Sequence, residues 1–148
     1  MKKVYQTQYG FPNEDGSPPP EGIGDCMRAC IASVFELSIE DVPHFVEDKD
    51  GWLDSKNWIE RLCCFADKHG YRVQEILLEK NPKMKHWLND VYSVATVDSP
   101  SGKGGHCVVT KGTSVVHDPC KNYSIYTSNY GDFLKWGYWV FVKKNPVL

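Results

Sequence analysis

The hydrophobic periodicity of this chain changes along its length, and that change limits the folds available to it. Apolar residues recur at helical spacing after Asp25 and again after Asp54, whereas segments beyond Tyr92 alternate between apolar and polar side chains. Helical and alternating periods are typical of amphipathic helices and half-buried strands, respectively. Helices that precede an antiparallel sheet indicate the α+β class. We therefore predict one α+β domain over residues 1–148, without internal repeats or a domain linker.

The individual elements follow from these periods and from the residues that interrupt them. Proline fixes φ and removes a backbone donor, so the stretch around Pro18, Pro19 and Pro20 is predicted to be a loop. The predicted elements are, in chain order, a short strand at 3–9, a loop at 10–24, a helix at 26–37, a one-turn helix at 38–42, a helix that opens near Asp54 and is closed by Gly70, a strand at 71–78, a short helix at 83–89, a strand at 92–98, a turn at 99–105, strands at 106–111 and 114–118, a loop through Asn129 and a strand at 136–143.

Composition and charge narrow the range of partners and compartments. The chain has 41% hydrophobic residues, and its 17 Lys and Arg against 19 Asp and Glu give a net charge of -2. Nucleic-acid-binding domains are usually basic, so we expect no nucleic-acid partner. No apolar run approaches the ~20 residues of a membrane span, and the N-terminus lacks the apolar core of a signal peptide. We therefore expect a cytoplasmic protein with no membrane contact, in which the cysteines are reduced thiols.

Cys26 is the residue best placed for thiol chemistry. A nucleophilic cysteine must be ionised, and the partial positive charge at a helix N-terminus favours the thiolate. Cys26 is predicted to be the first residue of its helix, with Gly24 or Asp25 at the N-cap position, and it follows a long loop that would expose it. The amides of the first helical turn are also suited to bind an oxyanion. Cys26 is therefore the predicted nucleophile.

His106 and Asp118 are predicted to lie close together and to complete the site. Residues 106–111 and 114–118 form a hairpin about Gly112 and Thr113 in this interpretation. Antiparallel pairs counted back from that turn bring His106 opposite residue 118 or 119. A carboxylate that binds Nδ1–H would fix the imidazole tautomer and leave Nε2 to face the thiol. We predict that His106 is the base and that Asp118 orients it.

Two blocks of the sequence resemble one known family. Residues 24–33, Gly-Asp-Cys-Met-Arg-Ala-Cys-Ile-Ala-Ser, resemble the nucleophile helix of the bacteriocin-processing C39-type peptidases and their C39-like relatives, which have an Asp-Cys-Gly-x-Ala-Cys pattern. Residues 105–109 resemble the Gly-His-aromatic-aliphatic strand of that family, and residues 117–119 resemble its Asp-Pro. The resemblance implies a papain-like α+β fold, a cysteine peptidase or amidohydrolase, a peptide or protein substrate, and neither a cofactor nor a metal. A looser resemblance of residues 5–7 and 42–45 to short phage and bacterial proteins implies a phage protein that acts on a host factor.

The sequence departs from the family at two positions. Met27 follows the predicted nucleophile where the family has Gly, and Pro20 stands where the family has the glutamine that forms the oxyanion hole. The nearest upstream glutamines are Gln8 and Gln6. If the loop at 10–24 is an insertion, one of them can still reach the thiol. We favour Gln6 for the oxyanion hole, with Gln8 as the second candidate.

Other functions remain open at this point. The same triad serves deamidation and transglutamination, and a non-catalytic binding module could retain the fold. A metal site is less favoured, because no CxxC pair is present among the possible ligands Cys26, Cys30, His106, Cys107, His117 and Cys120. The other cysteines are interpreted as packing residues in a helix or the sheet, His117 as a residue of the opposite sheet face, and His44 as a surface or loop residue. The oligomeric state is not predicted.

Overall fold

The described part of the chain folds into three helices and a five-stranded sheet, as the α+β pattern predicts. The computed structural model describes residues 1–99, 104–121 and 130–145. The elements in these ranges are α1 (Cys26–Phe35), a 3₁₀ turn (Ile39–Asp41), α2 (Trp58–Lys68), β1 (Tyr71–Leu77), α3 (Met84–Leu88), β2 (Tyr92–Asp98), β3 (Gly105–Lys111), β4 (Ser114–His117), a second 3₁₀ turn (Phe133–Lys135) and β5 (Gly137–Lys143). None of the helices described is long and apolar enough to cross a membrane.

The strands form one antiparallel sheet in the order β1-β5-β2-β3-β4. The last strand of the chain, β5, lies between β1 and β2 and pairs with both, so it joins the first strand to the rest of the sheet. β2 also pairs with β3 over its whole length, and β4 closes the hairpin at the edge. The predicted strands at 71–78, 92–98, 106–111, 114–118 and 136–143 are all present, with their ends shifted by no more than one residue.

The two faces of the sheet bury different clusters of side chains. One cluster joins the sheet to α1 and α2 and includes Ile31, Leu62 and Val109. The other includes Leu78 and Tyr138 and packs on the opposite face. Successive residues of a strand point to opposite faces, and β2 and β3 therefore contribute to both clusters. Burying each large aliphatic side chain stabilises the fold by about 1.5–3 kcal/mol.

Helix α1 fits closely against the sheet because its inward residues are small. Ala29, Cys30, Ala32 and Ser33 are fully buried. The Ser33 hydroxyl donates a hydrogen bond to Ala29 O, 2.8 Å away. Such small side chains allow the helix backbone to approach β2 and β3, and this approach sets how near the first turn of α1 comes to β3.

Three predicted features of the first half of the chain are wrong. Residues 3–9 form no strand, because their amides bind isolated acceptors instead of a neighbouring strand, such as Ser33 Oγ for Val4 N and Pro119 O for Gln6 N. The helix predicted to open near Asp54 begins at Trp58, since the Asp54 carboxylate binds amides of the preceding turn. The adjacent thiols at 63 and 64 are exposed on α2 and do not pack in the core.

The proline-rich loop at 10–24 is closed at its base. Gly24 N donates to Gly10 O at 2.8 Å, Asp25 N donates to Gln8 O at 3.2 Å, and Gly10 forms a bridge with Ile23. The chain therefore returns to the point where it left, and residues 6–8 lie beside the start of α1. The predicted turn after Asp98 falls partly, and the loop through Asn129 largely, outside the residues that the structure describes.

Gly10 should be required for the closed base of this loop. A Cβ atom at Gly10 would overlap the Gly22 carbonyl oxygen, and the ring of Pro19 allows no shift away from it. We expect Gly10→Ala to lower the free energy of unfolding by about 1–3 kcal/mol through this overlap. Gly137→Ala is the control, because its Cβ would lie 3.7 Å from the nearest atom, Leu77 Cδ2. Equal urea-unfolding midpoints for the two variants would contradict the packing argument.

Candidate active site

A cleft of about 660 Å³ lies where the first turn of α1 meets the first residues of β3. Cys26, His106 and Gln6 all contribute to its wall. Asp118 lies behind His106, and the Gln8 side chain packs elsewhere. Of the five residues that the sequence predicts for the site, the fold thus brings three to one surface and a fourth into contact with it.

Cys26 is the first residue of α1 and is half-buried at the floor of the cleft. Cys107 and His106 line the same cleft and carry groups that can donate hydrogen bonds to its sulfur. These donors, the Cys107 thiol above all, lower the pKa of Cys26 well below its ordinary value, although burial opposes the shift. The thiolate is thus the favoured form of this cysteine.

His106 binds Asp118 through the ring nitrogen opposite to the one that we predicted. His106 Nε2 lies 2.9 Å from Asp118 Oδ1, and both side chains are buried. The expectation that the carboxylate binds Nδ1 is therefore wrong. His106 is the second residue of β3, and its ring presents Nε2 to the Asp118 carboxylate from that position. Burial alone would lower the pKa of His106, but the hydrogen bonds to Asp118 and Cys26 raise it to about 9.

Asp118 is held by three donors. Its Oδ1 accepts hydrogen bonds from His106 Nε2 and, at 2.8 Å, from the amide of Cys120. Its Oδ2 accepts a hydrogen bond from the Tyr130 hydroxyl at 2.5 Å. Burial raises the pKa of Asp118, but the bonds from His106 and Tyr130 outweigh this effect and lower it. Asp118 is thus a fixed carboxylate that bears a full set of donors.

Tyr130 is a site residue that sequence reasoning missed. Its hydroxyl reaches Asp118, its carbonyl accepts Trp136 Nε1 at 3.1 Å, and its ring packs edge-on against Trp136. The residue sits at the end of a segment predicted only as loop, so no periodicity marks it. The proximity of Tyr and Asp depends on how the chain returns after residue 121, which local pattern does not encode.

The hairpin brings Asp118 to His106 by a less regular route than the pairing count implies. Lys111 pairs with Ser114 and Thr110 with Val115, but a bulge then shifts the register so that Val109 pairs with His117. β4 ends at His117, and Asp118 reaches His106 with its side chain from just beyond the ladder.

His117 points away from the cleft, as its position on the opposite face predicts. Its Nε2 lies 2.7 Å from Val4 O, and its ring contacts the edge of Tyr5. Burial lowers its pKa. His117 therefore secures the N-terminal segment to the sheet and is no rival base for Cys26.

Gln6 lies on the cleft wall with Cys26, whereas Gln8 does not. Gln6 is buried, its Nε2 donates to Gln8 O at 2.8 Å, and its Oε1 has no hydrogen-bond partner among the residues described. A primary amide has two protons on nitrogen, so one donor of Gln6 remains for another acceptor. The Gln8 amide instead packs against Gly22. The closed loop thus keeps Gln6 near the thiol, despite the 15 residues at 10–24.

Asp25 occupies the predicted N-cap position but does not cap the helix. Its carboxylate accepts Thr7 N at 2.8 Å, Thr7 Oγ1 at 2.7 Å and Gln8 N at 2.9 Å, and the side chain makes no capping bond to α1. The first amides of α1 have no intrahelical acceptor. The amide of Cys26 is therefore not occupied by the N-cap side chain and lies at the cleft floor.

Two residues interpreted from sequence as packing or surface residues also line the cleft. Cys107 belongs to the sheet core as predicted, but it also lines the cleft with Cys26. His44 lies in a loop, and its side chain is turned inward: its Nε2 lies 3.0 Å from Ile23 O, and its buried Nδ1 has no partner in the described part of the chain. Within those same ranges, no group of three or more His, Cys, Asp or Glu side chains is arranged to hold a metal ion.

Comparison with protein-family models, with curated proteins and with solved structures gives no match to this chain.

His106 and His117 should have different pKa values, because their surroundings differ. His106 should titrate with a midpoint near pH 9, and His117 below 6.5. Cys26→Ala removes an acceptor and a negative charge beside His106, so its midpoint should fall, while that of His117 should not move. NMR of 13C-labelled histidines measures both, with His106→Gln to assign the signals. A His106 midpoint that is the same with and without the thiol would rule out the proposed ion pair.

Proposed function

We propose that this chain is a cysteine hydrolase of the papain-like type that cleaves amide bonds through Cys26, His106 and Asp118. The observation that carries the proposal is the 2.9 Å hydrogen bond between His106 Nε2 and Asp118 Oδ1, made by a histidine that lines the same cleft as Cys26. A nucleophile, a base that contacts it and a third group that orients the base are the recurring parts of covalent acyl transfer.

The chemistry follows from the protonation states in the cleft. The Cys26 thiolate attacks the carbonyl carbon of an amide, and the imidazolium of His106 gives its Nδ1 proton to the leaving amine. Neutral His106 then takes a proton from water, which attacks the thioester and releases the acid. Asp118 keeps the ring in one orientation throughout, because Nε2 stays bonded to its carboxylate.

An oxyanion hole is available beside the nucleophile. The backbone amide of Cys26 and the Nε2 of Gln6 both lie at the cleft and are suitable donors for the negative oxygen of the tetrahedral intermediate. In a merely binding module with this fold, Gln6 need not approach the thiol. Its position on the same wall as Cys26 therefore favours an enzyme.

The cleft supports a peptide or protein substrate that presents apolar side chains. Its lining is largely apolar, and Tyr9, Phe11 and Leu53 are exposed at the same site. The Arg28 side chain of the lining is already engaged by Ile39 O and Val42 O. An extended acyl chain with an aromatic or aliphatic residue next to the scissile bond fits this surface better than a charged one.

The proposal also includes the type of fold and the cellular compartment in which the protein acts. A nucleophile at the start of a helix, packed on an antiparallel sheet that supplies the histidine at a strand start, supports the papain-like arrangement. All six cysteines are free thiols. Free thiols of this number are typical of a reducing compartment, and we therefore propose that the enzyme acts in the cytoplasm.

The test is formation of an acyl-enzyme from an activated substrate. N-acetyl-phenylalanine para-nitrophenyl ester should give a burst of one equivalent of nitrophenolate, followed by turnover, with the acyl group mapped to Cys26 by mass spectrometry. Cys26→Ala should abolish the burst and keep the fold. Cys63→Ala, which removes an exposed thiol on α2, is the matched control and should retain it. Acylation of Cys63 to the same extent as Cys26 would refute a tuned nucleophile.

The same experiment separates hydrolysis from transfer. Addition of a primary amine leaves a hydrolase product unchanged but diverts the acyl group to the amine in a transglutaminase. Release of ammonia from a glutamine peptide would instead identify a deamidase. The burst itself is common to all three, so its absence contradicts the entire thiol mechanism and not one branch of it.

The two glutamines allow a matched test of the oxyanion hole. Gln6→Ala should lower kcat by about 10²–10³ by removing one donor to the intermediate, with a smaller effect on KM. Gln8→Ala should remain close to wild type, because only the backbone carbonyl of Gln8 reaches the site. Circular dichroism confirms that both variants fold. Equal losses in the two variants would place the oxyanion hole elsewhere.

A further inference from the structure

Cys107 is a second thiol in the cleft of the nucleophile, and acyl transfer does not use it. It follows His106 on β3 and turns its side chain to the α1 face, where it lies in one cluster with Met27 and Cys30. It also lines the cleft with Cys26 and is only 7% exposed. Acyl transfer by Cys26 and His106 does not require the Cys107 thiol, so this thiol can have another role in this position.

The two thiols belong to one cluster of side chains and differ in character. Hydrogen bonding with Cys26, together with burial, raises the pKa of Cys107 well above its ordinary value. Hydrogen bonding from Cys107, with a further effect of His106, lowers the pKa of Cys26, although burial opposes the shift. One sulfur thus favours the thiolate, and the other favours the protonated thiol.

We propose that Cys26 and Cys107 form a peroxide-sensitive thiol pair, in which Cys26 is oxidised first and Cys107 then closes a reversible disulfide with it. Cysteines that sense oxidants combine thiolate character and access with a nearby second thiol. Here the cleft supplies access for a small hydroperoxide, and the contact between α1 and β3 supplies the second thiol.

The oxidant in this proposal is hydrogen peroxide, and the steps balance with it. The Cys26 thiolate attacks one peroxide oxygen, the O–O bond breaks, hydroxide leaves, and the sulfur, oxidised by two electrons, becomes a sulfenic acid. The Cys107 thiol then loses its proton and attacks the Cys26 sulfur, the S–O bond breaks, and the oxygen leaves as water. A dithiol reductant restores both thiols by exchange through a mixed disulfide.

The disulfide would switch off acyl transfer and also protect the enzyme. A sulfur bonded to Cys107 cannot attack a carbonyl, so oxidised protein is inactive. A sulfenic acid that is not captured advances to the sulfinic acid, which ordinary reductants do not reverse. Capture by Cys107 keeps the nucleophile at the recoverable stage.

Cys30 is the rival partner for Cys26. It lies one turn further along α1 and is fully buried, and the negative charge of Cys26 contributes to the raised pKa of its thiol after burial itself. Cys107 differs in that it lines the cleft together with Cys26, whereas Cys30 is absent from the cleft lining. The experiment therefore has to identify the partner by mapping.

The decisive measurement needs no substrate and no active enzyme. Protein with Cys63→Ser and Cys64→Ser, which lacks the exposed thiols of α2, is treated with about one equivalent of hydrogen peroxide per chain, alkylated and digested. We expect two thiols per chain to disappear, one linked peptide pair that joins Cys26 to Cys107, and return of both thiols with dithiothreitol. Linkage of Cys26 to Cys30, or sulfinic acid at Cys26 without any linked peptide, would overturn the proposal.

A pair of variants tests the role of Cys107 directly. Cys107→Ser should leave Cys26 unprotected, so the fraction of Cys26 that dithiothreitol restores after peroxide should fall about tenfold. Cys30→Ser, also buried, should keep the linked peptide and full recovery. Near-UV circular dichroism shows whether each variant is folded. If either is not, the peptide map of the protein that retains both thiols decides the question alone.

Discussion

The carboxylate of Asp25 is the interaction on which the arrangement of the site depends. It lies fully buried at the start of α1 and accepts three hydrogen bonds, from Thr7 N, Thr7 Oγ1 and Gln8 N. A buried charge without partners would cost several kcal/mol, so the carboxylate binds residues 7 and 8 firmly to the helix. Because the loop at 10–24 closes just outside this contact, its length does not alter the distance from Gln6 to Cys26.

The charged groups inside the cleft also need hydrogen-bond partners to offset the cost of burial. The Cys26 sulfur, the His106 ring and the Asp118 carboxylate each find donors or acceptors in the others or in neighbouring groups, among them the Tyr130 hydroxyl. In a low dielectric such a network strengthens each bond, while a missing partner would be costly. The directions of the pKa shifts have this cause, since each charged form is stabilised by its neighbours more than it is penalised by burial.

The features that could be predicted from the sequence are those that depend on local pattern. The helix at Cys26, the hairpin from β3 to β4 and the proximity of His106 to Asp118 follow from hydrophobic period and from spacing along one short segment. Three other features depend on how segments that are distant in sequence meet in space. They are the use of Nε2 by Asp118, the contact from Tyr130 and the position of Cys107 beside Cys26. Residues 3–9 show the limit clearly: they alternate like a strand, but no strand is available beside them, and their amides bind Ser33 and Pro119 instead.

The surroundings that would make Cys26 reactive toward a carbonyl would also make it reactive toward oxidants. A change in the pKa of Cys26 alone therefore cannot favour one reaction over the other. Each donor that lowers the pKa of Cys26 increases the thiolate fraction available to both reactions. Selectivity must therefore come from the steps after the first attack. In the proposed reaction with an amide, His106 supplies a proton to the leaving group, and Gln6 supplies a donor to the oxyanion. The proposed reaction with a peroxide needs neither, and the Cys107 thiol in the same cleft is the group that would react next. A second thiol at this place, where an apolar side chain would pack equally well, would thus give the oxidised nucleophile a reversible outcome.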